Sequence, residues 1–213
     1  MPGLLIAFEG IDGAGKFTQL SKTKAWLNSL GFQVASSSEP NDEDSPIGKT
    51  IRKMLQHDEP MPEDPVEFQR MYTIDRAQDI FARINPFIRY GGVYLIERFA
   101  FSNIAYGMLS GKSARFFIKL HKSVIGPSML WPHLTILVDV SGKEGAKRRA
   151  ETTGRLEYYE RADILEKVRK NFLKITRLPE FAPRIVVVDG EREPETVFED
   201  VKNAIERILP TRK

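Results

Sequence analysis

The chain enters an apolar run, Leu4-Leu5-Ile6-Ala7-Phe8, and then the segment Glu9-Gly10-Ile11-Asp12-Gly13-Ala14-Gly15-Lys16-Phe17-Thr18. The run reads as a buried strand, the glycines as a tight turn, and the lysine as the opening of a helix. That order is the context a G-x-x-x-x-G-K-[ST] phosphate loop requires. Gly10, Gly13, Ala14 and Gly15 offer backbone N–H groups to phosphate oxygens, and glycine lets the chain turn closely enough to aim them. Lys16 adds a point charge, and the helix N-terminus adds a favourable dipole. The motif calls for Ser or Thr after the lysine as a magnesium ligand, and here Phe17 precedes Thr18.

The rest of the sequence alternates in the same way. Apolar runs predict further strands at Phe32 to Ser36, Val93 to Ile96, Leu134 to Val138 and Ile185 to Val188. Helical patterns lie between them, from Lys16 to Leu30, Pro46 to Leu55, Val66 to Ala82, Ser102 to Leu109, Ala114 to Val124, Lys143 to Ala150, Asp163 to Arg177 and Pro194 to Leu209. A shorter helix is expected from Pro86 to Tyr90, and Asp163 is expected as a helix cap. Short apolar strands alternating with helices predict an α/β fold: a five-stranded parallel sheet with helices on both faces. Ligands on such sheets gather at the carboxyl ends of the strands, so the polar residues after strands 1, 3, 4 and 5 are expected to share one crevice.

Composition narrows the function. No linker or charge block divides the 213 residues, which read as a single domain over 1–213. A net charge of +3 is too small to imply nucleic acid, and there is no cysteine for disulfide or thiolate chemistry. No apolar run reaches the length of a membrane span, and no signal peptide is evident, so a cytoplasmic protein without membrane contact is expected.

Glu97-Arg98 follows the third strand as Glu9-Gly10 follows the first. Carboxylates placed there can hold magnesium through water or accept a proton, and Arg98 can fork two phosphate oxygens. Tyr72 and Arg76, four residues apart, share a helix face on which a ring can stack a base while the guanidinium holds its phosphate. Arg148, Arg149 and Arg155 flank a turn-rich stretch, and arginines on such a lid can neutralise charge on a transferring phosphoryl group. His57, His121 and His133 have no metal-ligand spacing.

Together these motifs resemble the thymidylate kinases, which are P-loop nucleoside monophosphate kinases. The resemblance rests on Phe8 to Lys16, Glu39-Pro40, the Tyr72/Asp75/Arg76 element, Glu97-Arg98-Phe99 with Ser102, Ala105 and Tyr106, Pro132 with Leu134 and Thr135, and a lid from Arg148 to Glu157, within a segment of about 148–160. It implies that ATP and dTMP are the substrates, Mg2+ the cofactor and a homodimer the assembly. It further implies that Asp12 meets the acceptor 3′-hydroxyl, Arg76 and Arg98 hold the acceptor phosphate, Tyr72 stacks on thymine, and Tyr106 packs on the deoxyribose beside Ser102. Lys16, Glu97 and Arg98 would act in catalysis with a lid arginine, either Arg149 or Arg155. Phe17 leaves magnesium to Glu97 or Glu9 through water, or to a shifted Thr18. A deoxynucleoside kinase, or a nucleotide-binding protein with weak catalysis, are the rival readings.

Overall fold

In the computed structural model, residues 3–153 and 158–209 are described. Five parallel strands form one sheet: β1 (Leu4–Glu9), β2 (Val34–Ser38), β3 (Val93–Glu97), β4 (Leu134–Asp139) and β5 (Ile185–Asp189), in the order β2-β3-β1-β4-β5. β1 therefore lies at the centre, with Leu5 opposite Tyr94 on one side and Phe8 opposite Ile136 on the other. Successive side chains of a strand point to opposite faces. Ile6 and Phe8 accordingly enter one core, with Leu95, Leu134 and Ile136, while Leu5 and Ala7 enter another with Tyr94 and Ile96. Both faces of the central strands are buried, which is why their sequences are continuously apolar.

Helices α1 (Lys16–Ser29), α2 (Pro46–Leu55), α3 (Pro65–Asp79), α4 (Asn85–Arg89), α5 (Ala100–Gly107), α6 (Ala114–Ile125), α7 (Gly142–Thr153), α8 (Ala162–Ile175) and α9 (Pro194–Glu206) surround the sheet. Leu20 and Leu27 of α1, Val168 and Phe172 of α8, and Val197 and Val201 of α9 fill the first core. Phe99, Ile125 and the segment after α3 fill the second.

Three differences from the sequence reading have a clear physical cause. β2 begins two residues later than expected, because pairing with β3 sets its register from Val34 opposite Val93 to Ser38 opposite Glu97. As an edge strand it tolerates the serines, whose hydroxyls face partly solvated surroundings. The predicted gap between the third and fourth helices is absent: a π-helical turn, Ile80–Ile84, joins α3 to α4. Pro86 lacks an N–H and crowds the carbonyl one turn earlier, and the wider turn accommodates both. Asp163 is not the cap of α8. Arg161 occupies the cap position, and Asp163 sits in the first turn, 3.3 Å from the Arg161 guanidinium, where its charge suits the helix dipole.

Candidate active site

The phosphate loop closes between β1 and α1. Gly15 caps α1 in the left-handed region, with φ at 87°, and no side chain caps the helix, so the first-turn N–H groups have no side-chain partner. Gly13 has φ at 77°, and a Cβ there would lie 2.3 Å from the Gly145 carbonyl of α7, so the loop can pack this closely on the lid helix only with glycine. Lys16 is nearly buried. Its Nζ donates to the Ile11 carbonyl at 2.9 Å and lies 3.9 Å from Glu97 Oε1. Burial and the neighbouring Arg98 lower the Lys16 ammonium to about 8. Phe17 is 69% exposed, so its ring does not obstruct the loop, and Thr18 is exposed as well.

A pocket of about 470 Å³ opens beside this loop, over the carboxyl ends of β1, β2 and β3. Arg98 forms one wall. Its φ of 61° places a non-glycine residue in the left-handed region, a strain of about 1–3 kcal/mol of the kind that gathers at functional sites. That turn sends the guanidinium to Asp12 Oδ1 and to within 5.7 Å of the Tyr106 ring centroid. Tyr106 donates its hydroxyl to Asp12 Oδ2 at 2.7 Å. Burial alone would raise Asp12, but Arg98 and Lys16 outweigh it and hold the carboxyl below its usual range. Burial, then the Asp12 charge, push the Tyr106 phenol well above its ordinary value.

The opposite wall is Phe68, Gln69 and Tyr72 of α3, with Arg52 of α2 above them. Tyr72 packs edge-on against Phe68 at 5.3 Å between centroids. Asn103 Nδ2 donates to the Gln69 carbonyl at 3.2 Å and also to the Gln69 side-chain oxygen. Arg76 closes the floor. It is fully buried, bonds Glu39 through both Nε (3.0 Å) and Nη2, and lies 4.9 Å from the Phe99 ring centroid. Burial pushes Glu39 up to about 8 against the pull of Arg76.

The lid side is α7 and the short turn Tyr158–Glu160. Arg149 Nε donates to Glu160 Oε1 at 2.7 Å, and both residues line the pocket. Arg148 points away, bonding Glu144 and the Gly190 carbonyl. The Tyr159 ring meets Tyr106 edge-on at 6.1 Å.

The family model for thymidylate kinase matches residues 8–201. A probable thymidylate kinase of Archaeoglobus fulgidus is 36% identical over 210 residues, covering 99% of this chain and 98% of that one. Thymidylate kinases of Maridesulfovibrio salexigens and Thermoanaerobacter sp. strain X514 are 32% and 31% identical, covering 96% and 98% of this chain and 96% and 100% of their own. The chain belongs to the thymidylate kinase family.

The structure departs from the sequence reading at several residues. Glu9 does not face the phosphates. It is wholly buried, and its Oε1 accepts the backbone N–H groups of Phe99, Phe101 and Ser102 at 3.0–3.1 Å while Oε2 takes the Ser102 hydroxyl. It serves as a cap for α5, supplied from another strand, because those first-turn N–H groups have no helical acceptor. Arg76 does not present a free guanidinium to a phosphate, since Glu39 occupies its Nε–Nη2 edge. The ends of β4 and β5 do not join the pocket: Asp139 is held bidentately by Arg169 at 2.7 and 2.8 Å. Arg155 lies outside the described residues.

Asp12, Tyr72, Arg76, Glu97, Arg98, Ser102, Tyr106 and Arg149 do line one cavity. Arg52, Gln69 and Asn103 line it too and were missed. Gln69 had a signal, for it precedes Tyr72 and Arg76 by three and seven residues on one helix face. Arg52 and Asn103 had none. Among the described residues no cluster of three or more His, Cys, Asp or Glu could hold a metal ion. Of the two carboxylates expected near the phosphates, only Glu97, with its side chain 21% accessible, is open to a ligand. That donor set fits a magnesium ion that arrives on nucleotide phosphates and reaches one carboxylate through water. It does not fit a cage built by the protein. No helix among the described residues is long and apolar enough to cross a membrane.

Proposed function

We infer that the protein phosphorylates dTMP with ATP, releasing dTDP and ADP. The observation that carries this reading is the joining of a phosphate loop to a base-sized pocket by one guanidinium, Arg98, tied to Asp12 of that loop and set against Tyr106. The acceptor phosphate enters between Arg98 and Arg52, which both line the cavity. Arg52 pairs with Asp42 at 2.7 Å. The sugar lies against Tyr106 with its 3′-hydroxyl at Asp12. Thymine stacks on Tyr72, and its edge of two carbonyls around one N–H meets Arg76, Gln69 and Asn103 at the pocket floor.

Transfer is in line, from the ATP γ-phosphorus to an oxygen of the acceptor phosphate. Catalysis is positioning with charge neutralisation. Loop N–H groups and Lys16 hold the donor, Arg98 the acceptor, and Arg149 approaches the transferring group when the lid closes and excludes water. Magnesium, held by the nucleotide with Glu97, would neutralise triphosphate charge. The family resemblance supports a homodimer, and Phe81 and Tyr90, 55% and 89% exposed beside β3, supply apolar surface for it. The need for ATP and magnesium supports a cytoplasmic location.

A coupled ADP-release assay tests the reading, with dTMP, dUMP, dCMP and thymidine as acceptors and magnesium varied. dTMP should lead. dUMP, lacking only the methyl group, should lose about ten- to two-hundred-fold in efficiency. No ADP from dTMP at any magnesium concentration, or equal rates with dTMP and dCMP, would refute it.

A further inference from the structure

His121 lies wholly buried on α6, a helix that does not line the pocket. Its Nε2 is 2.5 Å from Arg76 Nη1, and its Nδ1 is 2.7 Å from the Phe117 carbonyl. The carbonyl can only accept, so Nδ1 carries the proton, and Nε2 is left with a lone pair aimed at the guanidinium. The ring packs against Trp131 at 5.9 Å and, through its helix, against the aromatic core. A phenyl ring would fill that space equally well. The imidazole adds one thing, an acceptor for Arg76.

The three contacts on Arg76 differ in what they fix. Glu39 grips the Nε–Nη2 edge, and Phe99 supports one flat face. Neither bonds Nη1. His121 does, so the planar, rigid guanidinium is anchored at all three of its nitrogens. With it, three of the five N–H donors of the guanidinium are engaged. Two are left, in a plane set by three separate elements: the loop after β2, the start of α5 and α6.

We propose that His121 is a positioning residue for acceptor recognition: it orients the Arg76 guanidinium so that its remaining donors meet the carbonyl edge of the base. The proposal rests on the reading above that the base occupies this pocket. His121 touches no substrate and acts only through Arg76.

The test compares His121→Phe, His121→Asn and His121→Gln with the wild type, by steady-state kinetics and by calorimetric dTMP binding without ATP. Phe keeps the volume and removes the acceptor. Asn is polar but too short to reach Nη1, whereas the Gln side-chain oxygen reaches the position of Nε2. His121→Phe and His121→Asn should raise the KM and Kd for dTMP about tenfold and narrow the preference for dTMP over dCMP. Their kcat and ATP KM should stay within about twofold of wild type. His121→Gln should restore dTMP affinity to within about threefold. Should the Phe variant not fold, the Asn and Gln pair decides. Unchanged dTMP affinity in Phe or Asn, equal losses in ATP KM and kcat, or failure of Gln to rescue would overturn the proposal. A wild type that binds dTMP without turning it over would sink the assigned reaction but leave the binding comparison to judge His121. A wild type that does not bind dTMP would overturn both.

Discussion

ATP affinity should fall steeply above pH 8, and Lys16 is the reason. Burial and Arg98 bring its ammonium from 10.5 to about 8. That fall corresponds to about 3 kcal/mol of disfavoured charge in the free protein. A triphosphate bound beside it favours the cation and holds it protonated to higher pH. In the free protein the charged fraction falls about tenfold for each pH unit above 8, to roughly one part in a hundred at pH 10. ATP affinity should follow it, since the terminal phosphate of the nucleotide, with a second pKa of about 6, no longer titrates there. Isothermal calorimetry from pH 7 to 10, without acceptor, measures this. Glu39 also titrates near 8 but belongs to the acceptor pocket, so Glu39→Gln should keep the slope. The stability of the free protein should move the other way. The folded pKa of Lys16 is lowered, so its buried charge costs stability below pH 8, and that cost is relieved between 8 and 10.5. Urea titrations should show this gain in the wild type and not in Lys16→Met. An ATP affinity that stays level to pH 10 refutes the assignment of Lys16 as the donor-phosphate cation.

Glu9→Ala should destabilise the fold by about 2–4 kcal/mol in urea titration, because three buried N–H groups at the start of α5 then lose their acceptor. Phe17→Ser should change stability by no more than about 0.5 kcal/mol, since the ring is 69% exposed. Its new hydroxyl should lower the magnesium concentration for half-maximal rate, and an identical magnesium titration would show that the ion is held another way. Arg52→Ala should raise the KM for dTMP about tenfold with ATP KM unchanged, from the loss of a charge-assisted phosphate contact. Equal KM values for dTMP would remove Arg52 from the acceptor site.

Much of this molecule is local and so was open to reading from the chain alone. The phosphate loop is contiguous, its glycines are required by the φ values they adopt, and the apolar β1, β3 and β4 declare a sheet covered on both faces. Tyr72 and Arg76 could be placed together because helical spacing puts them on one face. What remained hidden was the partner of each polar group. Glu9 and Glu97 occupy equivalent positions at strand ends, yet one is consumed by the N–H groups of α5 and the other is open to a ligand. Arg76 and Arg98 look alike in sequence, yet Glu39, 37 residues away, and His121, 45 residues away, enclose the first, while a left-handed turn delivers the second to Asp12. Residue type and local spacing set which chemistry a side chain can offer. Which buried donor or acceptor takes it up depends on segments distant in the chain, and only their packing decides that.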